Sequence, residues 1–294
     1  MKIGINHWTF PPDRPLVEAF ALAKRAGCDH IEVNLAKTGE LSLESSESDV
    51  RAIADAARAA GIEISSLSTG LYWEASPTSN DPGVRRQAAE ILAQQLRVAN
   101  WLGVDTLLLV PGSVTPEVGY EVAYERATKL VADALPLARQ VGVAIGVENV
   151  WNRFLLSPLE MRTFVDSFGD PQHVGVYFDA GNILSYGYPQ DWIRTLGSSR
   201  IKRIHVKDFD DKIGGWNGFR NLLQGNVPWG EVRSALDEIG YDGYVTAEVA
   251  GYNVHPELGL KHIAECLRAV FTAPYDPAAG AGPGRIDPNQ FSQN

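Results

Sequence analysis

Residues 144–182, AIGVENVWNRFLLSPLEMRTFVDSFGDPQHVGVYFDAGN, hold one complete strand–helix–strand unit. Ala144–Asn149 is apolar at consecutive positions until Glu148, and Val174–Asp179 until Asp179. Unbroken apolar runs of this kind mark parallel strands buried on both faces. Between them, Ser157-Pro158-Leu159-Glu160 opens a helix, with a serine placed to cap it and a proline at its first position.

The same alternation runs outward in both directions. Further strands are expected at Ile3–Asn6, His30–Asn34, Glu63–Ser68, Thr106–Val110, Ile201–Lys207 and Tyr244–Val249. Helical stripes lie between them. Val50, Ile53, Ala54 and Ala57 step along one face, as do Ala88, Ile91, Leu92, Leu96 and Ala99, and then Leu260, Ile263, Ala264, Leu267 and Phe271. Glycine stop signals follow several helices, at Gly27, Gly61, Gly103, Gly142 and Gly240. Eight strands, each followed by a helix, predict an α/β fold of the (β/α)8 TIM-barrel type, which takes about 250 residues. The rival is an open doubly wound sheet, but the first strand-to-helix turn lacks the Gly-x-Gly-x-x-Gly phosphate loop. A single domain is expected over 1–272. The Pro/Gly-rich stretch 273–294 is expected to be a flexible tail or an arm on a neighbouring subunit.

Of the 294 residues, 45% are hydrophobic, enough for one large core. Lys and Arg total 26 and Asp and Glu 36, so the formal charge is −10. Such a chain lacks the broad cationic face that nucleic-acid backbones require, although a small patch can still hold one phosphate. Cys28 and Cys266 stand far apart and read as reduced packing residues. No run approaches the ~20 apolar residues of a membrane helix, and Met1–His7 leads straight into a strand, so the expected compartment is the cytoplasm.

In a barrel of this type the working residues sit at the carboxyl ends of the strands. The fifth strand ends in Val147-Glu148-Asn149 and the sixth in Phe178-Asp179-Ala180-Gly181-Asn182. The seventh carries His205-Val206-Lys207-Asp208 and the eighth Ala247-Glu248-Val249. Singly, each is readable as a surface carboxylate or a satisfied core histidine. Together, on four consecutive strands, three carboxylates converging on one mouth would repel one another without a cation between them. Two Glu, one Asp and one His form an oxygen–nitrogen donor set suited to one divalent ion, Mn2+ foremost, with Mg2+, Co2+ or Zn2+ also compatible.

This set resembles the xylose-isomerase-like sugar isomerase and epimerase superfamily, over nearly the whole barrel from Lys2 to about Phe271. His205–Asp208, Asn226–Glu231 and Gly240-Tyr241-Asp242-Gly243 look most like ketose-phosphate 3-epimerases of the L-xylulose/L-ribulose-5-phosphate type, and the resemblance extends to the tagatose/allulose 3-epimerases. It implies that Glu148, Asp179, His205 and Glu248 are metal ligands and that Glu148 and Glu248 are also the acid/base pair. It further implies a small-molecule carbohydrate substrate and a homodimer or homotetramer. The chain departs from the ketohexose epimerases at Asn182, where they place a substrate-binding His, at Lys207-Asp208, and at Leu155 after Asn152-Arg153-Phe154.

Candidate substrate contacts are His7, Trp8, Asn182, Lys207, Arg153 and Trp216, with Trp151, Trp229 and Arg220 beside them. Aromatic walls suit the C–H faces of sugars, but they also serve ordinary packing. Lys207 is placed for a phosphate or substrate hydroxyl, or for pairing with Asp208. The Asp210–Gly230 segment reads as a lid or as a plain glycine-rich loop. Three other functions compete with epimerisation or isomerisation. A keto-sugar lyase or dehydratase (inosose dehydratase or 3-keto-glycoside-cleaving type) would use the same metal site. An abasic-site endonuclease would need more strand-end histidines and a basic face. A non-catalytic sugar-binding barrel is the third.

Overall fold

The computed structural model describes residues 1–274, so the expected tail lies, from residue 275 on, outside the described residues. In chain order the elements are β1 (Lys2–Asn6), α1 (Leu16–Ala26), β2 (His30–Asn34), α2 (Glu47–Ala59), β3 (Glu63–Ser68), α3 (Pro82–Leu102), β4 (Thr106–Leu109), α4 (Tyr120–Val141), β5 (Ala144–Glu148) and α5 (Pro158–Asp166). There follow β6 (Val174–Asp179), α6 (Ala180–Ile183), α7 (Pro189–Leu196), β7 (Ile201–Val206), β8 (Asp208–Phe209), β9 (Phe219–Arg220), α8 (Trp229–Glu238), β10 (Tyr244–Ala247) and α9 (Pro256–Phe271). Eight of the strands close in the order β1-β10-β7-β6-β5-β4-β3-β2, each paired parallel to its neighbours. This is the (β/α)8 barrel. Two features go beyond the sequence expectation: the single-turn helix α6, and the antiparallel hairpin β8–β9 in the segment after β7.

The helices pack as their stripes require. Every residue of the three stripes quoted above is buried, and a fully buried leucine such as Leu92 or Leu96 contributes about 1.5–3 kcal/mol. Ser157 caps α5 by accepting from the Glu160 N–H, with Pro158 at the first helical position. Gly27, Gly103 and Gly142 end α1, α3 and α4 in the left-handed conformation, with φ of 92°, 78° and 68°.

The inside of the barrel is more polar than the usual aliphatic filling of this fold. Asn6, Glu32 and Ser66 stand side by side on β1, β2 and β3, and His205 pairs across to Thr246 and Asp179 on its two neighbours. Register shifts fall between Ile31 and Glu32 and between Val176 and Tyr177. A bulge re-aims the side chain that follows it, and here the two residues concerned, Glu32 and Tyr177, hydrogen-bond to each other across the interior.

Candidate active site

A cavity of about 570 Å³ opens where the carboxyl ends of the strands meet. Its floor is built by the ends of four strands. β5 presents Glu148, β6 presents Asp179, β7 presents His205 and Lys207 just beyond it, and the residue after β10 is Glu248. One donor atom from each of Glu148, Asp179, His205 and Glu248 lies within 4.8 Å of all the others. Asp179 and His205 are fully buried, Glu148 is 6% exposed, and Glu248 is the most open of the four.

Local hydrogen bonds hold each group in place. Asp179 caps α6, its Oδ1 accepting from the Asn182 N–H at 2.9 Å. Asn149 locks the β5 and β6 ends together: its Nδ2 donates to the Asp179 carbonyl at 2.8 Å, and its Oδ1 accepts from the Asp179 N–H at 2.9 Å. Gly181 lets α6 lie against the Lys207 backbone, where a Cβ would collide with the Lys207 carbonyl and side chain. His205 is clamped on both sides. Its Nε2 faces Glu32 Oε1 at 2.7 Å, and its Nδ1 faces Glu148 Oε1 at 3.3 Å and Glu248 Oε2 at 3.8 Å. An Nε2–H donated to Glu32 leaves the Nδ1 lone pair directed at the carboxylate cluster.

The electrostatics separate these carboxylates. Burial pushes Glu148 up to about 7, reinforced by the charge of Glu248. Burial also raises Asp179, against the pull of Lys207. At Glu248 burial acts upward, but Lys207 and His205 outweigh it and hold the carboxyl below its usual value. Glu32, although desolvated, is held at about 2 by His205, Tyr177 and Ser66. His205 is raised above its usual value, since Glu32 and Glu248 overcome its burial.

The donor set fits a cation. The Lys207 ammonium lies between Asp179 Oδ2, at 2.5 Å, and Glu248 Oε2, so positive charge already bridges two of the four groups. Oxygen and nitrogen donors without a thiolate suit a hard or borderline divalent ion.

Of the expected substrate contacts, Trp8, Asn182, Lys207 and Trp216 line the cavity. Asn182 has its Nδ2 committed to the Asn149 carbonyl at 2.9 Å. His7 and Arg153 do not line the cavity. His7 belongs to a 3-10 turn after β1 and rests on Phe10, 5.7 Å between ring centroids. Arg153 is exposed, in a left-handed turn at φ 59°. Lys207 pairs with Asp179 and Glu248, not with Asp208. Asp208 is buried and instead accepts from the Phe209 N–H, the Val227 N–H and the Trp229 Nε1 at 2.9, 3.0 and 2.9 Å. Trp229 is thus a buried packing residue at the start of α8, against Phe271. The segment after β7 folds over the cavity, and Trp216, Phe219, Arg220 and Gln224 from it form part of the wall.

Sequence reasoning missed Glu32. It is fully buried and accepts from Ser66 Oγ at 2.7 Å, from Tyr177, and from Asn6 Nδ2 as well as His205. The available signal was a carboxylate set between Ile31 and Val33 in a strand with both faces buried. Trp73 and Thr69, which line the cavity from beyond β3, were missed too.

Comparison with known proteins places this geometry. The family model described as xylose isomerase-like TIM barrel matches residues 20–270. A putative L-ribulose-5-phosphate 3-epimerase of Escherichia coli (strain K12) is 29% identical over 253 residues, 84% of this chain and 88% of the relative. Among solved structures, a D-psicose 3-epimerase in the presence of D-fructose superposes with a TM-score of 0.76 at 20% identity, covering 93% of this chain and all of that one. A 3-keto-D-glucoside 4-epimerase from E. coli superposes with a TM-score of 0.74 at 15% identity, covering 92% of this chain and 99% of its own. Strand order, the matched span and the strand-end residues agree: the chain belongs to the xylose isomerase-like TIM barrel family.

Proposed function

We propose that the protein is a divalent-metal-dependent epimerase of a ketose or ketose phosphate, inverting C3 through an enediolate. One observation carries this reading. Glu148 and Glu248 are the two carboxylates that line the cavity among the described residues, while Asp179 and Glu32 lie beneath it. Two carboxylates open to one substrate can remove the proton next to a carbonyl and return one on the opposite face. Their environments differ, burial raising Glu148 and Lys207 holding Glu248 low, so the two carboxylates are not interchangeable.

Glu148, Asp179, His205 and Glu248 would hold the metal, Mn2+ in our reading. When bound, it supplies the positive charge that stabilises an enediolate. The remaining work belongs to the chain. Lys207 neutralises carboxylate charge, Glu32 orients His205, and the β8–β9 hairpin limits water over the floor. The relatives named as 3-epimerases support inversion at C3. Cytoplasmic location and a homodimer or homotetramer complete the proposal; among the described residues no helix is long and apolar enough to cross a membrane.

The test is a pair of near-isosteric variants. Glu148→Gln and Glu248→Gln should each lower turnover by about 10²–10⁴-fold, the usual worth of a positioned acid or base, with far-UV circular dichroism unchanged. Chelation should silence the wild type and Mn2+ or Co2+ should restore it. Full activity in either variant, or in metal-free protein, would remove the mechanism.

A further inference from the structure

The cavity divides into two halves of different chemistry. Over β5–β10 it carries Glu148, Asn182, Lys207 and Glu248, the groups the proposed reaction uses. Over β1–β4 it is lined by Trp8, Thr69, Trp73, Leu108 and Val110, with no ionisable side chain. In the closed order of strands β1 stands across from β5 and β3 across from β7. Trp8 and Trp73, beyond β1 and β3, therefore face Trp151 and the hairpin's Trp216 and Phe219 across the mouth.

The two aromatic walls are not equivalent. Trp151 and Phe219 are partly buried and rest on each other, with centroids 4.7 Å apart, while Trp216 leans on both at 5.7 and 5.8 Å and stays 74% exposed. Trp8 and Trp73 stand 48% and 50% exposed at the rim of the same cavity. Large exposed apolar surface beside a pocket marks a binding surface, and an indole face matches the C–H face of a sugar ring.

Phosphate has no comparable place in the β1–β4 half. It brings about −1.5 to −2 charge and needs several donors. In the β1–β4 half the one polar side chain, Thr69, already donates to the Leu35 carbonyl at 2.7 Å. In the other half Lys207 is held by Asp179 and Glu248, and the Arg220 Nη1 by the Asn217 and Phe219 carbonyls at 2.6 and 2.8 Å, while Asn221 and Gln224 line the wall beside Arg220. The volume of about 570 Å³ lies inside the ~300–1,000 Å³ range of small-molecule sites.

We propose that the β1–β4 half is a second subsite, and that the substrate is a ketose bearing an uncharged second ring that stacks on Trp8 and Trp73. The identity of the reacting ring rests on the ketose reading above; the second subsite does not. The probes are D-fructose, fructose 6-phosphate and isomaltulose (fructose with a glucosyl ring on O6), titrated calorimetrically into the full-length Mn2+-loaded protein. The subsite predicts isomaltulose at least ten-fold tighter than fructose, and tighter than fructose 6-phosphate. Trp73→Ala should bring isomaltulose to within about three-fold of fructose, and Trp8→Ala, on a different loop, should do the same. A phosphate ester binding tighter than isomaltulose would overturn the proposal. So would an isomaltulose-to-fructose ratio that neither folded variant changes. Deuterium exchange at C3, followed on the same ligands, separates the two claims. Tryptophan-dependent isomaltulose binding without exchange leaves the subsite standing and removes the epimerase reading.

Discussion

Replacing Glu32 tests how His205, the proposed metal ligand, is prepared. Both Glu32 and His205 are fully buried, and Glu32 Oε1 lies 2.7 Å from His205 Nε2. The other donors to Glu32 have alternatives. Ser66 Oγ and the Tyr177 hydroxyl lie 3.0 Å apart and can pair with each other, and Asn6 Nδ2 also reaches Asn34 and Ser68. His205 Nε2 has no such second partner, so its orientation is what the mutation removes. In Glu32→Ala the ring loses the contact that fixes its tautomer and turns Nδ1 toward Glu148 and Glu248. Loss of such a supporting contact costs about 10–100-fold in metal affinity, or ~1.4–2.8 kcal/mol at 1.4 kcal/mol per factor of ten. In Glu32→Gln the amide oxygen can still accept from Nε2 while the negative charge is gone, so the loss should sit near ten-fold. The assay is Mn2+ titration against a competing chelator, with ring-nitrogen NMR shifts reporting the His205 tautomer. Metal affinity within two-fold of wild type in Glu32→Ala, with His205 still protonated on Nε2, would refute the reasoning.

Other parts of the barrel carry predictions of their own. His30 is fully buried, neither ring nitrogen has a hydrogen-bond partner, and Gly4 and Tyr244 pack against it. Burial lowers it to about 4, against the upward pull of Glu32, Asp29 and Glu63 and with the help of Arg203. Its folded value thus lies below the unfolded 6.5, so the unfolded chain binds the extra proton between these limits. Stability should fall by about 3 kcal/mol as pH drops from 6.5 to 4 and then level off for this group. Urea unfolding of His30→Leu should lack this part of the acid limb, and parallel curves for variant and wild type would contradict the assignment. Asp208→Ala leaves two backbone N–H groups and the Trp229 indole unpaired beneath the hairpin. At ~1–3 kcal/mol for an orphaned buried donor, with partial relaxation, a loss of about 2–4 kcal/mol is expected in denaturant melts; a change below 0.5 kcal/mol would show that the carboxylate does not anchor the segment.

What the sequence disclosed follows from what periodicity can carry. Glu148, Asp179 and Glu248 were legible because each stands at the carboxyl end of a strand, with His205 near the end of another, and the barrel rule puts these ends at one mouth. The glycine stops were legible because a left-handed residue leaves a compositional mark, as at Gly27 and Gly103. Glu32 was hidden for the opposite reason. It sits inside a strand, and its partners Asn6, Ser66, Tyr177 and His205 come from four other strands whose register no local pattern specifies. The same holds for Lys207. Its neighbour Asp208 is one of the partners the sequence offers, beside a phosphate or substrate hydroxyl, but successive strand-end residues point to opposite faces, sending Lys207 to Asp179 and Glu248 and Asp208 to Trp229. Trp73 belongs to a short turn after β3 that carries no periodic signal, and only the closed barrel brings it across from Trp216.

The most direct test of the central claim is NMR in D2O with the Mn2+-loaded protein and a panel of ketoses, ketose phosphates and glycosylated ketoses. The account predicts deuterium at C3 appearing together with the C3 epimer, and its loss in Glu148→Gln and Glu248→Gln. Label at C1 with an aldose product, or an unsaturated product with release of a substituent, would replace epimerisation with isomerisation or elimination on the same floor. An absence of exchange across the whole panel, with the metal bound, would contradict the enediolate itself.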